Sequence, residues 1–382
     1  MEKPSHPQPK PLSAYLSVIA DPRLERTREH HLQDILMISV LAMLCGAESF
    51  VDFEDFGQAK EEWLRTFLEL PAGIPSHDTF GRVFAAIDPR HFSQAFTGWT
   101  QSLRKQISAE IVAIDGKSLR RSHRGKEGGP IHMVSAWAHE NGLVLGQCKV
   151  DEKSNEITAI PELLRALELS GCIVSIDAMG CQKTIAKEIL EADAHYVLAL
   201  KGNQNMLHED VKSFFEDARK RQFRLGPKKL IAHDYFETVE KDHGRIERRR
   251  YWVCDQIDWL LERQPWEGLR SIVMVESTRQ MPAQTSAEVR YFISSLPAQA
   301  RQMARAVRGH WTIENQLHWS LDVNFREDDC RIRAGYAAEN MAILRHLSHN
   351  ILKAEPTKKR GIKGKQKNAA WNHPYLLSLL RF

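Results

Sequence analysis

The alternation of apolar and polar positions changes character along the chain. From Leu12 to about Ser108 the apolar spacing is helical; in Pro89–Ile107 the apolar positions fall four, three and four apart, at Phe92, Phe96, Trp99 and Leu103. Such spacing places the apolar side chains on one face of a helix that packs on a core. We therefore predict an all-helical N-terminal domain over residues 1–108, opened by a Pro-rich polar arm over residues 1–12.

At Glu110 the pattern changes to short apolar runs, which are typical of β-strands. These runs are Ile111–Asp115, Ile131–His139, Leu143–Val150, Cys172–Asp177 and His195–Leu200. Asn141-Gly142 between the second and third runs is a hairpin signal, and helical patterns occupy about 155–169 and 182–192. The order β-β-β-α-β-α-β predicts an α/β fold, with a mixed sheet flanked by helices.

The pattern changes again after Lys201. A polar helix and four strand-like runs predict a β-rich insertion at about 203–297, and helical spacing returns at Ala298 and continues to about Lys353. We predict a central α/β domain over residues 109–350 that contains this insertion, followed by a basic C-terminal tail over residues 351–382.

Composition narrows the class of protein. With 382 residues, 42% apolar and 27% charged, the chain is long enough for two or three soluble domains. No run approaches the ~18–20 apolar residues of a membrane span, and no secretory signal opens the chain. We expect a cytoplasmic protein without a membrane partner. Its six cysteines form no C-x-x-C pair, which argues against a zinc ribbon and favours free thiols.

The distribution of charge says more than the net charge of +4. Three segments are rich in Lys and Arg and contain no acid: Lys117–Lys126, Ala218–Lys229 and Lys358–Lys367. Basic clusters of this kind indicate surfaces that contact phosphate. The alternative for each is a solvated loop or tail.

Three acids are candidates for metal ligands. Asp115 and Asp177 each end an apolar run, and Glu314 lies in a later helix-patterned stretch. Two adjacent buried strands that end on Asp form a charge cluster at the rim of a sheet, and such hard oxygen ligands suit Mg²⁺ or Mn²⁺. Paired ions of this type drive phosphoryl transfer. The alternatives are a turn or cap role for each Asp and a surface ion pair for Glu314.

The stretch around Glu314 predicts one helix with two stripes. His310, Glu314, His318 and Asp322 are spaced by four and form a polar stripe, beside an apolar stripe of Ile313, Leu317, Leu321 and Phe325. The apolar stripe would dock on the sheet and direct the polar stripe toward the strand ends. Asp322, Glu327 and Asp328 are reserve candidates for the third metal ligand.

Several segments resemble one family. They are Val112-Ala113-Ile114-Asp115-Gly116-Lys117-Ser118-Leu119-Arg120-Arg121-Ser122, Lys153-Ser154-Asn155-Glu156-Ile157, Ser175-Ile176-Asp177-Ala178, His243-Gly244-Arg245-Ile246-Glu247-x-Arg249, and the stretch from His310 to Asp328. Together they resemble the H-repeat-associated DDE transposases of bacterial insertion sequences. The resemblance runs from the helical N-terminal region to about Leu352.

The resemblance implies a ribonuclease H-like fold in which Asp115, Asp177 and Glu314 are the catalytic, metal-binding triad. It implies two Mg²⁺ or Mn²⁺ ions per active site, with Asp115 bridging both, and no small-molecule cofactor. Asp177 and Glu314 lie 137 residues apart, as in transposases whose catalytic core is split by a β insertion.

One family pattern is not retained. The wider group carries Y-x2-R-x3-E-x6-K on one helix, but this chain has Val307, His310 and Leu321 at the Tyr, Arg and Lys positions around Glu314. The role of those residues in binding terminal DNA therefore cannot be assigned directly to this chain. Arg308, His310 and His318 are our candidates to replace them.

A strand with arginines on both faces supplies further DNA candidates. Residues 245–252 alternate so that Arg245 and Arg249 share one face, which suits a strand that grips a DNA backbone. The alternative is a solvated edge strand protected by charge. The full predicted DNA-contacting set is Lys117, Arg120, Arg121, Arg245, Arg249, Arg308, His310 and His318.

The resemblance implies a transposase that cuts terminal inverted repeats, joins them to target DNA, and works as a homodimer on double-stranded DNA. The helical N-terminal domain is our candidate for recognition of the DNA ends. Two alternatives stay open: a ribonuclease H-like nuclease without strand transfer, and a domesticated DNA-binding protein without catalysis. The basic clusters disfavour a helical interaction module without a DNA role.

Overall fold

The structure is a computed structural model that describes residues 10–122, 129–151, 155–224, 231–242, 244–263, 265–282 and 284–381. Some predicted features lie outside the described residues. They are the first nine residues of the predicted arm, the basic residues Arg124, Lys126, Lys228 and Lys229, and Lys153, Ser154 and His243 of the family-like segments.

The described part of the chain contains both helices and strands. The helices are α1 (Leu12–Leu16), α2 (Leu32–Leu44), α3 (Phe50–Ala59), α4 (Glu61–Leu64), α5 (His77–Ala86), α6 (Pro89–Leu103), α7 (Glu156–Arg165), α8 (Lys183–Glu191), α9 (Asn205–Lys220), α10 (Asp258–Leu261), α11 (Ala300–His310), α12 (Trp319–Phe325), α13 (Ala337–Ala354), α14 (Ile362–Trp371) and α15 (His373–Ser378). The strands are β1 (Ile111–Ser118), β2 (His132–Ala138), β3 (Leu143–Lys149), β4 (Ile173–Ile176), β5 (His195–Leu200), β6 (Asp234–Asp242), β7 (Arg245–Cys254), β8 (Ser271–Met281) and β9 (Gln284–Ser294).

The chain divides into two compact units. The helical unit comprises residues up to 106, 116–153 and 314 onward, and the sheet unit comprises residues 107–115 and 154–313. Strand β1 contributes residues to both, with its first five in the sheet unit and its last three in the helical unit.

In the sheet unit the strand order is β1-β4-β5-β9-β8-β7-β6. β1, β4 and β5 are parallel, with Ile114 opposite Ile176 and Ile176 opposite Leu198. β5 pairs with β9 in the antiparallel sense, and β9, β8, β7 and β6 continue as antiparallel neighbours. The predicted β-rich insertion is confirmed as this antiparallel extension.

Helix α11 covers the core of the sheet unit. Met303, Ala304 and Val307 of α11 pack in one buried cluster with Ile111 and with strand residues from β4 to β9. Gly309 approaches the sheet most closely, because a Cβ at this position would lie 2.9 Å from Cδ1 of Ile111. A larger residue at Gly309 would push the end of α11 off the strands.

The helical unit is built on two buried helices. α2 is apolar on all sides and buried almost throughout, and α13 packs against α2, α5, α6 and β3. A hairpin joins β2 to β3 across a turn that ends at Gly142, whose φ of +66° favours glycine. The predicted Asn-Gly hairpin is therefore confirmed.

Buried side-chain amides attach α13 to its neighbours. Nδ2 of Asn340 donates to the carbonyl oxygens of Phe84 and Ile87 at the end of α5. The Asn350 amide accepts from the backbone N–H of Val144 at 2.9 Å and donates to the carbonyl of the same residue at 2.8 Å. Both amides are fully buried, so they fix α13 against α5 and β3.

The fold class predicted from the sequence is confirmed: a mixed sheet flanked by helices, with a helical N-terminal region. The order β3-β2-β1 followed by β1-β4-β5 is that of the ribonuclease H-like class. The segment predicted as a tail after residue 351 contains α14 and α15. Its Lys365 is buried and donates to the carbonyl of Leu352 at 2.8 Å.

Strand β7 and the lengths of the helices bear on two predictions. β7 is hydrogen-bonded to β6 on one side and β8 on the other, so the alternative that residues 245–252 form an edge strand is wrong. Among the described helices, none is both long enough and apolar enough to cross a lipid bilayer.

Candidate active site

Two predicted ligands follow paired residues of neighbouring strands. Ile114 and Ile176 are direct partners in the parallel pair β1–β4, and each is followed by an aspartate. β1 continues to Ser118, but its pairing with β4 ends at Ile114, so the register places the backbones of Asp115 and Asp177 at the same level of the sheet. Both are half-buried, so their charges are only partly solvated.

The Asp177 carboxylate is oriented by the turn that follows it. Its Oδ1 accepts from the backbone N–H of Met179 at 3.0 Å and from that of Gly180 at 3.4 Å. Gly180 packs so tightly on Ile176 that a Cβ there would collide with the Ile176 side chain. The turn role considered from the sequence is therefore present, and it fixes the direction of the carboxylate.

The end of α11 lies beside β4. Nδ1 of His310 donates to the carbonyl oxygen of Ser175 at 3.2 Å, two residues before Asp177. Burial lowers the pKa of His310, and the nearby charge of Asp177 opposes that shift only in part. His310 is therefore neutral at pH 7 and acts in this structure as an anchor of α11.

Glu314 is exposed and stands second in a π-helical turn, Ile313–His318, between α11 and α12. The prediction of one continuous α-helix with a single polar stripe is therefore wrong. The apolar stripe is confirmed, since Ile313, Leu317, Leu321 and Phe325 are each at most 1% exposed.

The π turn has a physical reason in the spacing of those apolar residues. On a regular α-helix a strict spacing of four drifts by about 40° per step, which would carry the stripe off the core after two or three steps. The looser winding of a π turn offsets this drift, and such turns are frequent at functional sites.

The reserve candidates for the third ligand are engaged elsewhere. Nζ of Lys117 lies 2.7 Å from Asp322, 3.3 Å from Glu327 and 3.0 Å from Asp328. Burial alone would lower the pKa of Lys117, but the three carboxylates outweigh it and raise that pKa. Burial also raises the pKa of Glu327, which is 2% exposed. We call these four residues the Lys117 cluster.

Acids neutralise most of the predicted DNA-contacting cations in this structure. Lys117 lies in its cluster, Arg120 and Arg121 pair with Asp328 and Asp329, and Arg245, Arg249 and Arg308 pair with Glu247 or Glu240. His318 is half-buried in the π turn. The exposed pairs of Arg120, Arg121 and Arg308 exchange readily, whereas Lys117 and Arg249 are largely buried with their acids. A DNA role for each residue stays a prediction.

The donor set at the strand ends fits a hard divalent cation. Within the described part of the chain, no three His, Cys, Asp or Glu side chains lie close enough to form a metal site by themselves. Mg²⁺ is commonly held by one or two carboxylates, water molecules and phosphate oxygens of the substrate. Asp115 and Asp177 fit the protein's share of such a site.

One group of residues was not predicted from the sequence: Trp319, Lys353 and Arg360 line a pocket in the helical unit. The basic segment 358–367 contains part of this pocket wall. Because we predicted that segment to be a tail, we did not predict a pocket there.

Two families match the chain. The one described as "DDE_Tnp_1-associated" matches residues 13–100, and the one described as "Transposase DDE domain" matches residues 107–351. The second match covers more than half of the chain and includes Asp115, Asp177 and Glu314.

Similar proteins are known from bacteria. The "H repeat-associated putative transposase YhhI" of Escherichia coli (strain K12) is 41% identical over 97% of this chain and 98% of its own length. The "Uncharacterized protein in dhlA 3'region" of Xanthobacter autotrophicus is 48% identical over 76% of this chain and 95% of its own length. Among solved structures, that of the piggyBac transposase synaptic complex with hairpin DNA has a TM-score of 0.42 at 12% identity, covering 97% of this chain and 77% of that one.

Proposed function

Because the chain belongs to the DDE transposase family, in its H repeat-associated group, we propose that it cuts and joins DNA as the transposase of an insertion sequence. The observation that carries the proposal is the register of β1 against β4, in which Ile114 pairs with Ile176 and an aspartate follows each of them. Membership of the family alone would not support catalysis, since the family includes a relative named "Inactive transposase YbfQ".

Each acid has a role in this proposal. Asp115 and Asp177 would hold divalent ions, and Glu314 would supply the third carboxylate. Two bound Mg²⁺ or Mn²⁺ ions would supply activation of the attacking oxygen and stabilisation of the leaving oxygen. The turn at Met179 and Gly180 keeps the Asp177 carboxylate in one orientation, which reduces the reorganisation needed when an ion binds.

The proposed substrates are the terminal inverted repeats of the element and its target DNA. In the proposed cycle a terminal phosphodiester is cut, and the freed 3′ end attacks target DNA at the same site. Synapsis of two DNA ends requires two protomers in this scheme, so a homodimer on DNA is part of the proposal. The N-terminal helices up to residue 108 are proposed to recognise the DNA ends.

Cleavage of the element's own end DNA tests the proposal. Purified protein is incubated with a labelled end duplex and Mn²⁺, and the 3′ ends are mapped. The Asp115→Asn variant keeps the size of the side chain but removes its charge, so we expect cleavage to fall by about 1000-fold or more, because several kcal/mol of transition-state stabilisation depend on the ions. DNA binding is measured in parallel and should change little.

The control and the alternatives are separated in the same assay. Asp255 is exposed in the sheet unit, so Asp255→Asn should cleave like the wild type. A wild type that cuts, but never joins pre-cut ends to target DNA, would be a nuclease without strand transfer. An Asp115→Asn variant that cleaves normally would refute the assignment of the site.

A further inference from the structure

A pocket of about 280 Å³ lies within the helical unit. It is enclosed by the π turn, α12, the end of α13 and the start of α14. The lining residues that matter for its chemistry are Asn315, Gln316, Trp319, Lys353, Arg360 and Gly361. Its volume is slightly below the range for small-ligand sites, ~300–1,000 Å³, which suits one nucleotide of a single strand better than a duplex.

The charge of the pocket is positive. Lys353 and Arg360 are exposed at its wall, and no Asp or Glu is among its lining residues. The remaining cation, Lys365, is buried, donates to the backbone carbonyls of Leu352 and Glu355, and lies 3.4 Å from the Glu355 carboxylate. Nζ of Lys353 donates to Oε1 of Gln316 at 3.2 Å. Lys353 and Arg360 are therefore the cations of this wall that a bound phosphate would meet.

The pocket also offers groups that recognise more than charge. Trp319 is 58% exposed, which leaves much of its side chain available for stacking. The amides of Asn315 and Gln316 lie at the same wall. Gly361 precedes α14, a helix of ten residues whose first turn has no side-chain cap, and the free N–H groups of such a turn favour a phosphate.

We propose that this pocket binds one nucleotide of a single DNA strand, with its phosphate on Lys353 and Arg360 and its base stacked on Trp319. The proposal deepens the proposed function and rests on it, since the pocket would let the enzyme bind a DNA strand that is no longer base-paired. The combination of an aromatic plane with neighbouring cations is the usual chemistry of single-strand binding.

Binding of a fluorescent 12-nucleotide single strand to the full-length protein, in EDTA, tests the proposal. We expect Trp319→Ala to weaken binding about tenfold, because base stacking on an aromatic side chain is lost, whereas Trp319→Phe should keep most of the affinity. Trp371 is 77% exposed on α14 and does not line the pocket, so Trp371→Ala is a matched control that should change binding less than twofold.

The salt dependence tests the phosphate contact. Arg360→Gln should reduce the slope of log affinity against log salt by about 0.7. Lys359→Gln carries the same loss of charge at a neighbour that does not line the pocket, and it should reduce the slope by less than half as much. Thermal unfolding of every variant checks that the fold is intact.

The outcomes separate this proposal from the proposed function. If Trp319→Ala binds the strand as tightly as Trp371→Ala does, or Trp319→Phe loses as much affinity as Trp319→Ala, the pocket assignment is wrong. Cleavage that still depends on Asp115 would then leave the transposase proposal standing. Conversely, cleavage that survives Asp115→Asn would refute the catalytic proposal whatever the pocket binds.

Discussion

At the scale of single residues, two sets of carboxylates differ in what surrounds them. In the Lys117 cluster an ammonium lies within 3.3 Å of three carboxylates, and the group closes on itself. Asp115 and Asp177 instead follow Ile114 and Ile176, which are direct partners in the parallel pair β1–β4. Carboxylate oxygens at adjacent positions of a sheet suit a hard divalent cation, which supports the proposed metal site, whereas the Lys117 cluster suits folding.

The Lys117 cluster carries a stability prediction. Lys117→Met removes the charge that compensates buried Glu327, and breaking a buried pair on one side costs about 3–5 kcal/mol. We expect a loss of this size in the free energy of unfolding, measured by urea denaturation. Arg120 pairs with Asp328 but its side chain is 80% exposed, so Arg120→Met should cost less than about 1 kcal/mol. Equal losses for both variants would contradict the structural role of Lys117.

At the scale of elements, two short features position the site. The parallel pair β1–β4 sets the two aspartates level with each other, and the bond from His310 to Ser175 holds the end of α11 against β4. Glu314 follows that end by four residues, on a π turn that departs from regular helical geometry. The proposed ligands Asp115 and Asp177 thus lie on paired strands, an arrangement that favours preorganisation.

The attachment of α13 to β3 gives a prediction at this scale. Asn350→Ala leaves the buried backbone N–H and carbonyl of Val144 without their side-chain hydrogen-bond partner. Each buried polar group that is left unsatisfied costs about 1–3 kcal/mol. We expect a loss of about 2–4 kcal/mol in chemical denaturation. Asn141 makes the comparable pair of bonds to Lys105 at the surface, so Asn141→Ala should cost under about 1 kcal/mol. A smaller loss for Asn350→Ala than for Asn141→Ala would argue against this attachment.

These elements also show what the sequence can and cannot predict. The continuous apolar runs before Asp115 and Asp177 were sufficient to predict strands, since burial on both faces of a sheet leaves such a run in the sequence. The π turn at Glu314 was not predicted, because a spacing of four indicates a helix but does not distinguish an α-helix whose apolar stripe drifts from a helix interrupted by a π turn. The carboxylates that pair with Lys117 were not predicted either, because they lie more than 200 residues away from it in sequence.

At the scale of the whole molecule, buried histidines link stability to pH. Burial lowers the pKa of His349 to about 3 and that of His346 well below its usual range. Both rings are neutral in the folded protein, while the unfolded chain takes up protons near pH 6.5. Their contribution to stability is therefore complete above pH 6.5 and is lost as the pH falls toward the folded pKa.

A pH series of denaturation curves tests this linkage. Removing one buried neutral histidine, by His349→Leu, should reduce the slope of unfolding free energy against pH by about 1.4 kcal/mol per pH unit between pH 6 and pH 4. The raised pKa of Glu327 acts in the opposite sense, since its contribution is lost as the pH rises above about 4.5. Asn141→Ala removes no titratable group, so it should leave the slope as it is. An unchanged slope in His349→Leu would disprove the linkage.

The most direct test of the central claim is the affinity for Mn²⁺, measured by electron paramagnetic resonance on the protein bound to its element-end duplex. The claim is that Asp115 and Asp177 hold the divalent ion at the ends of β1 and β4. We expect the double variant Asp115→Asn/Asp177→Asn to bind Mn²⁺ at least about tenfold more weakly than the wild type, with Asp255→Asn unchanged. Equal affinity in the wild type and the double variant would contradict the account.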